Sequence, residues 1–241
     1  MSELCNYLEW DSQFFGLNIA RCLQTTLNPG QMPLVLEWCN EKQIDCLYFL
    51  GESDAPQTVR LVENHGFQLV DIRLTLDKTF NTPPANPQDM DIRLCETADI
   101  PILRNIASHS FTESRFYFDG HFPMERCDEL YATWIEKSCS GYADCVWVIQ
   151  HQGQPAGFIS CHCYPDDGRG QIGLFGIDMA ARGQGFGTRL IQHALFWFYE
   201  QSLQHVEVVT QVRSIAAQRA YQQAGFRTSA VQLWYHRWFD E

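Results

Sequence analysis

Apolar positions along this chain switch between two spacings, and the switches mark its elements. Residues 91–95, Asp-Ile-Arg-Leu-Cys, alternate as a short strand. Thr97 then stands where an N-cap is needed, and Ile100, Leu103, Ile106 and Ala107 follow at helical spacing. A second helix is expected over 124–138, with Leu130, Trp134 and Ile135 facing inward. Strands are expected at 145–149 and 156–161, separated by hairpin chemistry in His151-Gln-Gly-Gln-Pro155. A turn at Asp166-Asp-Gly-Arg-Gly170 leads into a third strand over 171–178. Phe186, Leu190, Ile191, Ala194, Leu195 and Phe198 then recur at close to a 3.6 period, which predicts a helix. A strand over 206–212, a helix over 214–224 and a strand over 231–238 complete the pattern. The order βααβββαβαβ is a mixed α/β domain whose antiparallel meander enters its central helix.

Ahead of this pattern, 81–90 carries Pro83, Pro84 and Pro87 and almost no apolar side chains, so it reads as a linker. The expected division is an N-terminal α/β domain over 1–82 and a second domain over 90–241. At 45% hydrophobic residues the chain can bury a core in each part. Its 17 Lys and Arg against 29 Asp and Glu give a formal net charge of −12. That balance argues against nucleic acid, whose phosphates need cations, and against an anionic membrane surface. No segment approaches the ~20 apolar residues of a membrane span, and the first residues do not read as a signal peptide. Ten cysteines occur without any Cys-x-x-Cys, and they are read as reduced thiols of a cytoplasmic protein.

Between the third strand and the central helix stands Ala181-Arg182-Gly183-Gln184-Gly185-Phe186-Gly187-Thr188. Glycines let the backbone turn sharply and approach a ligand, and the unpaired N–H groups at a helix start favour a pyrophosphate. No Gly-Lys-Ser/Thr follows, so this is not a P-loop, and Thr188 breaks the dinucleotide pattern G-x-G-x-x-G. With the preceding Leu174-Phe-Gly176-Ile177-Asp-Met179, the turn resembles the acyl-CoA-binding motif of the GNAT acyltransferase superfamily, R-x-x-G-x-G after a strand. Downstream, Ser214-Ile-Ala-Ala217-Gln-Arg-Ala-Tyr221-Gln-Gln-Ala-Gly225-Phe226 is similar to its second motif, N-x-x-A-x-x-x-Y-x-x-x-G-F, with Ser214 where Asn is usual. The resemblance implies a GNAT-type mixed β-sheet flanked by helices and acyl-CoA as co-substrate, with acetyl as the default acyl group and a short hydroxyacyl left open. It implies coenzyme contacts at Gly176, Ile177, Arg182, Gly183, Gln184, Gly185, Phe186, Gly187, Thr188, Ser214 and Ala217.

A narrower resemblance spans nearly the whole chain. Leu8-Glu-Trp10-Asp-Ser-Gln-Phe14-Phe15-Gly16-Leu-Asn18, His65-Gly66-Phe67-Gln-Leu-Val70-Asp71, Glu113-Ser114-Arg115-Phe116, Tyr131-Ala-Thr-Trp134-Ile135-Glu136 and Thr210-Gln211 look like the dTDP-fucosamine acetyltransferases. This implies a dTDP-linked amino-dideoxyhexose as acceptor. There is also an internal echo: Thr58-Val-Arg-Leu61-Val62-Glu-Asn-His-Gly66-Phe67 repeats the spacing of Ala217 to Phe226, with Val62 where Tyr221 stands and no glycine turn before it. The smaller N-terminal α/β part is therefore expected to be a degenerate GNAT-like half that binds no coenzyme.

Acyl transfer to an amine needs an oriented neutral amine, donors for the developing oxyanion, and help for the departing thiolate. Backbone N–H groups around Gly176 and Ile177 are candidate oxyanion donors. Tyr221 resembles the family's general acid. A phenol near pKa 10 giving its proton to a thiolate near 8.5 is uphill by roughly 2 kcal/mol, so hydrogen-bond stabilisation is the safer role. Asp71 is the candidate base, at a position where the similar acetyltransferases carry an acidic residue, with a solvated strand-end carboxylate as its alternative. Arg115, Phe116, Tyr117 and Gln211 are candidate acceptor contacts, with a core role for some of the aromatics left open. His121 and His162 lack metal-ligand spacing and are read as structural, so no metal is expected. A homodimer is left open. The rival readings are a GNAT enzyme acting on a protein N-terminus or a polyamine, and a catalytically silent acyl-CoA-binding module.

Overall fold

The computed structural model describes residues 4–239. Its elements run β1 (Cys5–Tyr7), α1 (Glu9–Phe15), β2 (Ile19–Cys22), α2 (Gln31–Glu41), β3 (Cys46–Glu52), α3 (Pro56–Asn64), β4 (Gln68–Thr79), β5 (Ile92–Leu94), α4 (Ile100–Ser108), α5 (Arg115–Asp119), α6 (Met124–Lys137), β6 (Cys145–His151), β7 (Gln154–Tyr164), β8 (Arg169–Ile177), α7 (Phe186–Glu200), β9 (His205–Gln211), α8 (Ile215–Gln223) and β10 (Arg227–Trp238). Every element expected beyond residue 90 is present. The short helix α5 has too few residues to show a period, and the sequence reading does not contain it. No helix among the described residues is long and apolar enough to cross a membrane.

The chain forms two compact units that interleave along the sequence. Unit 1 holds the residues up to Arg73, Ser114–Phe122 and those from Val231 onward, and unit 2 holds Leu74–Glu113 and Pro123–Ala230. The boundary expected at 82–90 falls inside unit 2. The physical reason is anchoring: Phe80 N–H donates to Gln204 C=O at 3.0 Å, and Arg189 pairs with both Asp89 and Asp91 at 2.6 and 2.9 Å. Both ends of the proline-rich stretch are thus fastened within unit 2.

In unit 1, β1 pairs antiparallel with β2, β2 parallel with β3, and β3 antiparallel with β10 from Cys46↔Trp238 to Glu52↔Gln232. One face buries Met32, Val35 and Cys39 of α2 and Val62 of α3 against Leu47, Phe49, Phe67 and Tyr235. The other face presents Tyr48 and His236, opposite partners on β3 and β10. They meet Phe15, Phe116 and Phe122, with ring centroids 4.6–5.6 Å apart among the three phenylalanines.

Unit 2 carries the expected meander, β5–β6–β7–β8, antiparallel throughout, and β8 then runs parallel to β9. Leu190, Ile191, Ala194, Leu195 and Phe198 of α7 are all buried. At about 1.5–3 kcal/mol for each large side chain, this stripe is a principal anchor of the unit. Gly170 lets β8 lie against Phe198, since a Cβ there would sit 2.5 Å from the ring.

The internal echo has a counterpart in the fold. The order β2–α2–β3–α3–β4 recurs as β8–α7–β9–α8–β10, with a parallel first pair in each. Phe67 N–H donates to Val62 C=O at 3.1 Å after Gly66, and Phe226 N–H donates to Tyr221 C=O at 3.0 Å after Gly225. The helix starts differ. Ahead of α2, the Asn28 side chain accepts from Gly30 and Gln31 N–H at 2.9 and 3.1 Å. A carboxamide thereby occupies amides that an anion would need.

Candidate active site

The coenzyme motif folds into one wall of a cleft in unit 2, of about 490 Å³. The cleft arises because β8 and β9 part. Their parallel ladder runs from Arg169↔His205 to Ile172↔Val208 and goes no further, while β8 continues to Ile177. A bulge on the β7 side bends β8 at the same point: Ser160 faces two residues, Gly173 and Leu174, and its hydroxyl accepts the Leu174 N–H at 2.7 Å.

Hydrogen-bond alternation along β7 and β8 assigns the amides. Asp178 N–H donates to Ala156 C=O at 2.9 Å, so Gly176, opposite Phe158, also turns its amide toward β7. Ile177 then directs its amide away from β7. Of the two sequence candidates, Ile177 is therefore the one whose amide points to the side where β8 and β9 part, and Gly176 is closely packed. A Cβ on Gly176 would lie 2.9 Å from the Phe158 ring and 3.2 Å from Ser110 Oγ.

At the start of α7, Gly183 and Gly185 have φ of +78° and +80°, and an added Cβ at either would meet nothing within 4 Å. They are needed for conformation and for the open space beside them. Gly185 caps α7 without any side-chain hydrogen bond, so the first amides of the helix stay available. This is the reverse of α2, where Asn28 takes them. Gly187 has another reason: its Cβ would sit 3.0 Å from Phe175. Arg182, Phe186 and Thr188 line the cleft, and Arg182 Nε donates to Ile177 C=O at 3.2 Å. The Gln184 side chain instead turns back to donate to Ala180 C=O at 3.2 Å.

The opposite wall comes from α8. Ser214, Ala217 and Ala220 line it, together with Arg213 before the helix. The Ser214 hydroxyl donates to Glu113 Oε2 at 3.0 Å, and Gln211 Oε1 lies 3.5 Å from it. Tyr221 is 3% exposed, its ring 5.9 Å from Phe175, a wall residue, and 5.6 Å from Phe226. Burial pushes its phenol well above the ordinary tyrosine range. His109, Ser110, Thr112, Glu113 and Arg213 also line the cleft and are not among the coenzyme contacts expected from the motifs. His109 and Ser110 follow a short amphipathic helix and carry no motif, whereas Arg213 adjoins the second motif and was the more findable.

The remaining candidates lie in unit 1. Asp71 is 2% exposed, within β4, and its Oδ1 accepts the Ile72 N–H at 2.8 Å. It is neither solvated nor at a strand end, contrary to the bland sequence alternative. Arg115 is half-buried, and Tyr117 beside it is half-buried on α5. Phe116 is 1% exposed, so it packs in the aromatic core and is not a stacking surface for a ligand. His121 pairs with Asp119 at 2.6 Å and stacks on Trp238, while burial lowers the His162 imidazole below its usual value. Among the described residues no group of three or more His, Cys, Asp or Glu is placed to hold a metal ion.

Residues 103–226 match the acetyltransferase (GNAT) family. The chain belongs to that family. It is 31% identical over 234 residues to dTDP-fucosamine acetyltransferase of Escherichia coli O6:H1, across 95% of this chain and 96% of that protein. It is 28% identical over 148 residues to the spore coat polysaccharide biosynthesis protein SpsD of Bacillus subtilis, across 59% of this chain and 49% of that one. A GCN5-related N-acetyltransferase from Sphaerobacter thermophilus shares the fold, with a TM-score of 0.70 at 18% identity over 97% of this chain and 76% of that one. A tandem GNAT protein from the clavulanic acid pathway also superposes, with a TM-score of 0.58 at 14% identity over 92% of this chain and 76% of that one.

GNAT acetyltransferases use acetyl-CoA as co-substrate, and the cleft fits it. Two open glycines at positive φ and an uncapped helix start form a cradle for phosphates, and the parted strands offer amides beyond it. When bound, acetyl-CoA supplies the thioester whose acyl group is transferred. Gly185→Val forces a branched side chain into the left-handed region and fills the open space. Calorimetric titration with coenzyme A should show Kd raised tenfold or more, about 1.4 kcal/mol or above.

Proposed function

We propose that this acetyltransferase N-acetylates a dTDP-linked amino-dideoxyhexose, with acetyl as the acyl group, by direct attack of the amine. One observation carries the reading: the 31% identity to dTDP-fucosamine acetyltransferase extends over 95% of this chain and 96% of that protein. The retained Tyr221 and the open coenzyme cradle support an active enzyme over a silent binding module. On this reading the amides of the α7 start bind the coenzyme phosphates, and the Ile177 N–H polarises the carbonyl as it becomes an oxyanion. Tyr221, its proton held firmly by burial, stabilises the departing thiolate through a hydrogen bond. Asp71 accepts the amine proton, and Arg115, Tyr117 and Gln211 contact the acceptor. A cytoplasmic location belongs to the same proposal.

The nucleotide should matter to turnover as well as to affinity, because remote binding energy orients the amine. A dTDP-amino-dideoxyhexose should be acetylated with kcat/KM ~10²-fold or more above the same amino sugar without the nucleotide. Free thiol released from acetyl-CoA measures both. Equal values would contradict the reading, and higher turnover with a longer acyl-CoA would correct the acyl group alone.

A further inference from the structure

Two arginines of unit 1 flank one indole. Arg115 Cζ lies 4.2 Å and Arg21 Cζ 5.2 Å from the Trp234 ring centroid. Arg115 also stands 4.2 Å from the Phe116 ring and 5.1 Å from Tyr48. The rings hold the guanidiniums by cation–π attraction but do not neutralise them. Among the described residues neither arginine forms an ion pair within 4.0 Å. This stands out in a chain with 29 acidic residues against 17 basic ones. The carboxylate nearest in sequence on α5, Asp119, is already held by His236, by His121 at 2.6 Å and by Trp238 Nε1 at 3.1 Å.

The cations also act on one another. Burial first, then the charges of Arg115 and Arg73, lower the Arg21 guanidinium below its ordinary value. Two guanidiniums as close as Arg21 and Arg115 repel one another, whereas an anion between them makes strong charge-assisted hydrogen bonds. A second observation points the same way. The Arg115 Nε, the Tyr48 hydroxyl and the Ser114 hydroxyl are buried without a hydrogen-bond partner. Tyr48 is 1% and Ser114 2% exposed. All three are donors, and Tyr48 and Ser114 are immediate neighbours of Arg115. Buried donors left unmade are costly, and an oxyanion satisfies several at once.

We propose that Arg21 and Arg115, fixed about Trp234, form an anion site that takes the diphosphate of the acceptor's nucleotide, with Tyr48 and Ser114 as added donors. The inference rests on the sugar-nucleotide reading and deepens it. Arginine suits this role because its planar fork matches phosphate oxygens in pairs.

Calorimetric titration of the full chain with dTDP, thymidine, inorganic pyrophosphate and coenzyme A separates the sources of phosphate. Wild type should bind dTDP at least tenfold more tightly than thymidine. Arg21→Gln and Arg115→Gln should each raise the dTDP Kd tenfold or more while coenzyme A affinity stays within about twofold. Losing Arg115 also disturbs a packed position, so Arg21→Gln carries the test, with Arg21→Lys recovering part of the affinity and an unchanged melting temperature certifying the fold. Equal dTDP binding by wild type and Arg21→Gln would overturn the site and leave the sugar-nucleotide reading standing. Equal loss of coenzyme A would overturn it too, by moving these arginines to the coenzyme. No binding of dTDP or pyrophosphate by wild type would likewise overturn the site. Arginine-dependent pyrophosphate binding without turnover of any sugar nucleotide would support an anion site and overturn that reading instead.

Discussion

Tyr221→Phe should lower kcat by ~10²-fold, the low end for a proton-transfer group, while the Kd for coenzyme A stays within about twofold of wild type. The substitution removes one hydroxyl and keeps the ring that packs between Phe175 and Phe226. Binding and chemistry therefore separate, in contrast to Gly185→Val, which acts on the coenzyme cradle. The direction of the phenol shift adds a pH signature. Burial favours the neutral form, so the donor stays protonated through the pH at which an ordinary tyrosine ionises, about 10. Wild-type kcat should show no alkaline loss up to that point. A loss centred nearer pH 9 would mean that some other group is the acid, and equal damage to coenzyme binding would make Tyr221 a packing residue.

Asp71→Asn should cost ~10²-fold in activity at pH 7, with part returning at higher pH as more of the amine is neutral unaided. Asparagine keeps the side chain's shape, and its Oδ1 can still accept the Ile72 N–H that the carboxylate holds at 2.8 Å. Folding and coenzyme affinity should survive. Asp71 is buried, so it is not a solvated surface charge. A pH–rate profile parallel to wild type, with less than about threefold loss, would assign catalysis to positioning and to Tyr221 alone.

What the sequence disclosed follows from the range of each interaction. The glycine turn before α7 was legible because Gly183 and Gly185 adopt positive φ, a local demand that only glycine meets easily. The helix end at Gly225-Phe226, and its echo at Gly66-Phe67, were legible for the same local reason. The fold of unit 2 was legible from alternation and from the α7 stripe. What escaped was non-local. Nothing near residues 114–122 announces that Phe116 and Phe122 pack against Tyr48 and His236, so Phe116 read as a ligand contact. The pairing of β10 with β3 joins positions far apart in the chain, and with the anchoring of Asp89 and Asp91 it displaced the expected boundary. Which of Gly176 and Ile177 turns its amide away from β7 depended on strand register, which a bulge at Ser160 shifts. Arg21 and Trp234 meet from positions far apart in the chain, and such a pair has no sequence signature.

The central claim is that this GNAT acetyltransferase works on a nucleotide-bound amino sugar. The most direct measurement is a competition in one reaction, with acetyl-CoA limiting and a dTDP-amino-dideoxyhexose, spermidine and a peptide with a free N-terminus at equal concentration. Product ratios then give the ratios of kcat/KM without separate rate constants. The account predicts that acetylated sugar nucleotide exceeds either other product by at least ~10²-fold. Comparable acetylation of spermidine or of the peptide, or no acetylated sugar nucleotide at all, would contradict it.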